Sequence, residues 1–431
     1  MPMKANPTYE LSSGTRLVFA TPEVGSSFFG YYDKSPLDAS GTRLLAHRST
    51  FDGRDPTAAD EVDVGYYSLP DAAWHSIGIT AAFNWQQGSM LQWLGPDFQS
   101  RIIYNVRRKD RFGAVIFDIA TQTSRELSYP VYAVHPSGTF ALGVNYERLY
   151  FFRNGYNYQG VNRPEWNVPI HPDDGIFRID LTTGDHRLLL STSAVASLFG
   201  DLPMGDRHWV EHMMWNPSGS RFLFLYRHGN GAAYATKLLS ADHDGGNLYR
   251  FCEADLYSHT GWRNDADFVI YANRPNRVYQ TYLQHARNNA VWMQPLRAAA
   301  RCARRYLLSQ RNFKRITHGY YYLQSDQAEG SRPIAADHLR DDGHPTWTRN
   351  GQFMLTDTYA DENGYRHLLI YNHLSGHLNE LGRFFSPFNC CGFRCDLHPR
   401  FSRDEKSLII DSAHTGHRQV LVMDINYASI V

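Results

Sequence analysis

Cysteine is scarce in this chain: five residues in 431, namely Cys252, Cys302, Cys390, Cys391 and Cys395. An odd number without regular spacing argues against a disulfide framework as the organising device. The paired C-x-x-C spacing of zinc knuckles is missing as well, so the cysteines read as small buried residues rather than added thiolate ligands. An excess of charge is also missing, with 43 basic against 43 acidic residues. That balance excludes nucleic acid or another polyelectrolyte as a partner of the whole surface. No apolar run reaches the length that spans a bilayer. The opening Met1-Pro-Met-Lys-Ala-Asn-Pro7 has neither an apolar h-region nor a cleavage site. The expectation is a cytoplasmic protein, although a periplasmic or secreted chain trimmed of its leader would read alike. A G-x-S-x-G elbow is missing, which weakens a Ser-His-Asp hydrolase reading.

One stretch lacks acid altogether. From Phe268 to Ser325 there is no Asp or Glu against ten Arg or Lys. Within it, residues 282–314 interrupt the rhythm of the rest, and Leu296 to Gln310 has helical composition. Three readings stay open for this basic insertion: a lid over an anionic substrate, a helix that touches a membrane surface, or a helix packed on the fold with a solvated basic face.

What the chain does have is aromatic side chains (27 Tyr, 24 Phe, 9 Trp) and turn formers (33 Gly, 20 Pro). Together they argue for an all-β fold with many turns. One unit recurs: a histidine, an aromatic three residues later, a polar turn, then an alternating apolar strand. It appears as His212-Met-Met-Trp215, His259-Thr-Gly-Trp262, His344-Pro-Thr-Trp347 and His398-Pro-Arg-Phe401. Weaker copies start near residues 28, 84 and 131, so seven units begin near 28, 84, 131, 209, 256, 341 and 395. Units of this length with four strands are propeller blades. The expected fold is a single seven-bladed β-propeller over residues 1–431. The last unit runs out of chain before its fourth strand. The lone strand pattern at residues 9–20 can supply it, closing the ring and covering a sheet edge.

In a propeller the residues just before the inner strands sit at one mouth of the central channel. His212, His259, His344 and His398 share one register, so four neighbouring blades aim an imidazole at the same mouth. His135 falls out of register, inside a turn, and His228, His414 and His417 follow second strands, in loops. Converging neutral imidazoles suit a divalent metal. Glu211, Asp342 and Asp396 stand close by in sequence, either as ligands or as partners that fix the ring tautomer. Alternatively one histidine is a general base and the others hold the metal. Tyr31, Tyr32, Lys34 and Gln87 come to the same mouth from the first two blades. Arg207 and His208 precede the fourth blade, and Arg394 precedes the seventh. This company suits an acidic, hydroxyl-rich ligand such as a uronate sugar.

The H-x-x-W repeat with its Gly turn resembles TolB/WD40-like propellers. The His-Pro-(Trp/Phe) copies, with Asp411-Ser and Gly416-His-Arg-Gln419 at the C-terminal end, resemble the oligogalacturonate lyases and the propeller-fold ulvan lyases. That resemblance implies a seven-bladed propeller that cleaves acidic oligo- or polysaccharides by β-elimination. It implies a divalent metal, Mn or Zn, on His259, His344 and His398, with Asp396 beside them. Asp396 and Phe393 stand where the oligogalacturonate lyases are expected to carry a histidine and a glutamine. Under this reading His212 is the base, Tyr32 or Tyr31 the proton donor, and Arg207 or Arg394 helps neutralise the uronate, with Tyr31, Lys34, Gln87 and His208 binding substrate. The competing class is a non-catalytic propeller that binds a glycan or a protein, because a fold does not fix a function.

Overall fold

The computed structural model describes residues 8–200, 205–230, 233–251, 256–274, 318–389 and 392–430. The described strands form seven antiparallel sheets, the blades of a β-propeller. In chain order the described strands of the blades fall within residues 26–80, 92–127, 133–191, 207–230 with 233–251, 256–274 with 318–334, 346–385 and 400–425. The basic insertion at 282–314 lies outside the described residues. Among the described residues no helix is long and apolar enough to cross a membrane.

The alternation in each second strand explains how the blades stack. Successive strand side chains face opposite sides of a sheet. In Phe222-Leu-Phe-Leu225, the two phenylalanines enter the apolar cluster shared with Ile103 and Leu142 of the preceding blades. Leu223 and Leu225 enter the cluster shared with Phe268 and Ile270 of the next blade. Ile409 and Ile410 divide in the same way, towards Leu45 of blade 1 and Leu355 of blade 6. Each such side chain, fully buried, contributes about 1.5–3 kcal/mol, and all of it depends on a neighbouring blade being present.

Turns between first and second strands repeat one solution. Gly41, Gly138, Gly219 and Gly351 all have positive φ, between 66° and 76°, a region that costs glycine little. His135 does sit in such a turn. Its Nδ1 is 2.7 Å from the Ser137 hydroxyl and its Nε2 3.0 Å from the Gly219 carbonyl oxygen, so it ties the turns of blades 3 and 4 together. His228 departs from its expected loop: it lies within the strand Arg221–Asn230 and contacts Asp206 at 3.1 Å.

The ring closes as expected, but by a divided segment. The 9–20 pattern is two strands, not one. Thr15–Ala20 pairs antiparallel with Gln419–Ile425 and completes blade 7. Tyr9–Leu11 pairs instead with Leu378–Phe385 and adds a fifth strand to blade 6. The break falls at Ser12-Ser-Gly14, where a propeller's radial spread requires the chain to leave one sheet before joining the next. Blade 7 also grips blade 1. The buried Asp411 carboxylate accepts the Phe29 amide at 2.9 Å and Arg400 at 2.9 Å, while Arg400 Nε donates to the Tyr31 carbonyl at 3.1 Å.

Blade 3 carries a detour between its second and third strands. It contains helix α1 (Tyr146–Phe152), capped by the Asn145 side chain. The chain after α1 brings Arg153 and Tyr156 towards the channel mouth.

Candidate functional site

The four repeat histidines meet. Ring centroids lie 4.2 Å apart for His259 and His344, 4.3 Å for His344 and His398, and 6.0 Å for His212 and His259. All four are buried. They do not all precede their inner strands as the repeat suggested. His212 and His259 lie within Arg207–Trp215 and Leu256–Trp262, where the pairing register slips. An extra residue at a bulge re-aims side chains. His212 and His398 take φ of 57° and 44°, a left-handed conformation that costs about 1–3 kcal/mol in a non-glycine residue.

Carboxylates stand behind three of the rings. Asp357, fully buried, accepts both the backbone N–H and Nδ1 of His344 at 2.8 Å, and the His398 amide at 3.2 Å. Asp342 lies 3.1 Å from His259 Nδ1. Glu211 lies 3.5 Å from His212 Nδ1, close enough for charge attraction, but that nitrogen has no hydrogen-bond partner among the described residues. A carboxylate on Nδ1 keeps the proton there and leaves Nε2 with its lone pair. The Nε2 atoms of His344 and His398 are buried and have no hydrogen-bond partner among the described residues. Burial favours the neutral form of three of the rings: it pushes His212 down to about 3 against the pull of Glu211, lowers His259, and holds His398 well below the ordinary imidazole value.

The donor set fits a divalent metal. Ligand atoms of His344, Asp396 and His398 lie within 4.8 Å of one another, and ring spacing adds His259. Asp396 is engaged on both oxygens, however, with Arg366 at 2.7 Å and Arg394 at 2.7 Å. Burial opposes its ionisation, but Arg394 and Arg366 outweigh that and hold its carboxyl far below the usual range.

The tyrosines separate by their hydroxyls. Tyr31 packs edge-on against His212 and His398 at 5.3 and 5.4 Å, and its buried hydroxyl has no partner among the described residues. The Tyr32 hydroxyl is engaged twice, donating to the Thr260 carbonyl at 2.7 Å and accepting the Thr260 amide at 3.1 Å.

Beside the imidazoles opens a cavity of about 650 Å³ whose wall includes His259, Asp342, Arg153, Arg227 and Arg394. Arg394 reaches it by the loop before blade 7 and bonds the Tyr156 hydroxyl at 3.1 Å. Other expected residues are engaged with protein partners. Arg207 lies five residues along its strand from His212, about 16 Å at the usual rise, bonded to Asn167 at 2.9 Å. His208 is buried against Tyr226, with Nδ1 2.5 Å from its hydroxyl. Lys34 pairs with Asp33 at 2.7 Å. Gln87 supports the site indirectly: it donates to the Tyr132 hydroxyl at 2.7 Å, which accepts the His212 amide at 2.9 Å.

Sequence reading missed Asp357, although a signal existed: an aspartate follows the histidine by thirteen residues in both blade 6 and blade 7 (Asp357 and Asp411). It also missed Arg153 and Arg227. Arg153 sits on the blade 3 detour, outside any repeat register, so no signal marked it.

No protein-family model matches the sequence, and no curated protein matches it. Solved structures do. An oligogalacturonate lyase from Vibrio parahaemolyticus superimposes with a TM-score of 0.61 at 12% identity, over 97% of each chain. An oligogalacturonate lyase in complex with manganese gives 0.60 at 15% identity, over 98% of each. At such identity the likeness shows the fold, a seven-bladed propeller matched nearly end to end.

Proposed function

We propose that this chain is a metal-dependent lyase that cleaves uronate-containing oligosaccharides by β-elimination. One observation carries the reading: two buried imidazole Nε2 atoms without partners among the described residues, on His344, whose ring Asp357 holds, and on His398, whose amide it holds, beside an arginine-walled cavity. The manganese named with one structural neighbour accords with it. His259, His344 and His398 would hold a divalent ion, Mn or Zn, which supplies Lewis-acid stabilisation of the charge that grows on the uronate carboxylate.

The chain's own residues do the rest. Arg394 lines the cavity and adds positive charge towards that carboxylate. His212, neutral and aimed into the cluster by its bulge, takes the C5 proton. Its low basicity in the free site comes from burial, with Arg227 adding to it, so an anion seated against that arginine strengthens it. Tyr31 replaces Tyr32 as the donor to the leaving 4-oxygen, because of the two hydroxyls only its own has no partner among the described residues.

The experiment is to follow the absorbance of the unsaturated product on a panel of uronate glycans. His212→Ala and His344→Ala abolish product formation, and a chelator does so reversibly, with Mn or Zn restoring it. Unchanged rates in both variants overturn the assignment, and inactivity on every glycan favours a binding propeller.

A further inference from the structure

Neighbouring residues of a regular strand face opposite ways, yet Glu211 and His212 lie together because the strand bulges between them and Met214. The bulge puts the Glu211 carboxylate, 1% exposed, under the cavity wall. Both its oxygens accept Arg153 Nε at 3.0 Å, and one lies 2.8 Å from Arg227 Nη1. Tyr234 underlies both guanidinium groups, its ring centre 5.4 Å from Arg153 and 4.8 Å from Arg227, and its hydroxyl accepts Arg153 Nη1 at 3.3 Å.

Two guanidinium groups and one carboxylate leave a single positive charge. Burial opposes ionisation of Glu211, but Arg153 and then Arg227 outweigh it and keep the carboxyl well below its ordinary value, so the count holds at neutral pH. Arg227 is 5% exposed, and its Nε has no hydrogen-bond partner among the described residues. A buried guanidinium N–H without an acceptor is costly, and a planar two-oxygen anion matches the fork it belongs to.

We propose that Arg153, Glu211 and Arg227 form a subsite for one sugar carboxylate, with Tyr234 as its floor, next to His212 at the edge of the imidazole cluster. Glu211 is its positioning residue: it spaces the two arginines and trims their charge to that of a monoanion. The proposal rests on the reading of the cavity as a uronate site, but its test needs no turnover.

Calorimetric titration of D-galacturonate into chelator-treated protein reads the subsite without a metal, with methyl galactoside as the uncharged control. Arg227→Met and Arg153→Met each weaken galacturonate binding by about tenfold, the loss of a charged hydrogen bond. Glu211→Gln, which adds one net positive charge, tightens it by roughly three- to tenfold. Methyl galactoside binding is unchanged throughout. Variants that melt like the parent yet bind galacturonate equally well overturn the subsite, as does weaker binding in Glu211→Gln. If galacturonate follows the arginines while no glycan yields unsaturated product, the subsite stands and the lyase reading falls.

Discussion

At the scale of single residues, Asp357 ties the cluster together. One carboxylate holds the ring and amide of His344 and the amide of His398, so it orients the His344 imidazole and supports the left-handed backbone at His398 at once. Partners behind metal-binding histidines are worth about 10–100-fold in affinity. On the proposed metal-dependent reading, Asp357→Asn is therefore expected to weaken Mn or Zn binding by about that factor, measured by competition with a chromogenic chelator, while the melting temperature also falls. The histidine register is legible in the chain alone because it repeats. Asp357 is equally legible in principle, since Asp411 stands at the matching position. The two aspartates do different work, however. Asp411 locks Arg400 and the Phe29 amide, whereas Asp357 turns to the imidazoles, and only packing decides between those roles.

At the scale of elements, the divided N-terminal segment distinguishes two kinds of closure. Among the described residues, Thr15–Ala20 is the only outer strand that blade 7 has, whereas Tyr9–Leu11 adds to a blade already complete. Deleting residues 1–13 is expected to cost little. Deleting residues 1–20 exposes the Gln419–Ile425 edge and the apolar cluster holding Leu17 and Met423, and unpaired edges of this kind aggregate. Thermal melting and light scattering check it: a small shift for the shorter deletion, a large one with aggregation for the longer. Alternation and chain arithmetic predicted that a strand from this segment closes the ring. They did not predict the break at Ser12-Ser-Gly14, because which sheet edge a short strand reaches depends on the radial spacing of the blades.

At the scale of the whole molecule, buried neutral imidazoles make the ring acid-sensitive. His47, in blade 1, reaches across to the Ser89 hydroxyl at 2.8 Å, and burial pushes it down to about 4. Burial also lowers His135, between blades 3 and 4, and His414 at blade 7. As pH falls below about 6.5, the unfolded chain takes protons that the folded one refuses, so stability drops. For His47 alone the loss is ~3 kcal/mol, complete once pH falls below about 4. Melting temperatures measured from pH 7.5 down to 4 should fall progressively, and His47→Gln should flatten that slope while lowering stability at neutral pH.

The sequence by itself determined the blade count, the alternation that stacks the blades, and the shared register of four histidines, because each is a local pattern repeated along the chain. Tertiary structure decided which polar groups the histidines meet. Bulges at His212 and His259 reset side-chain direction against the period of two, and a detour in blade 3 delivered Arg153 from outside any register. It also withdrew Arg207 and His208 from the mouth and engaged the Tyr32 hydroxyl on Thr260. Those outcomes depend on distances between residues far apart in the chain, which only the closed ring fixes.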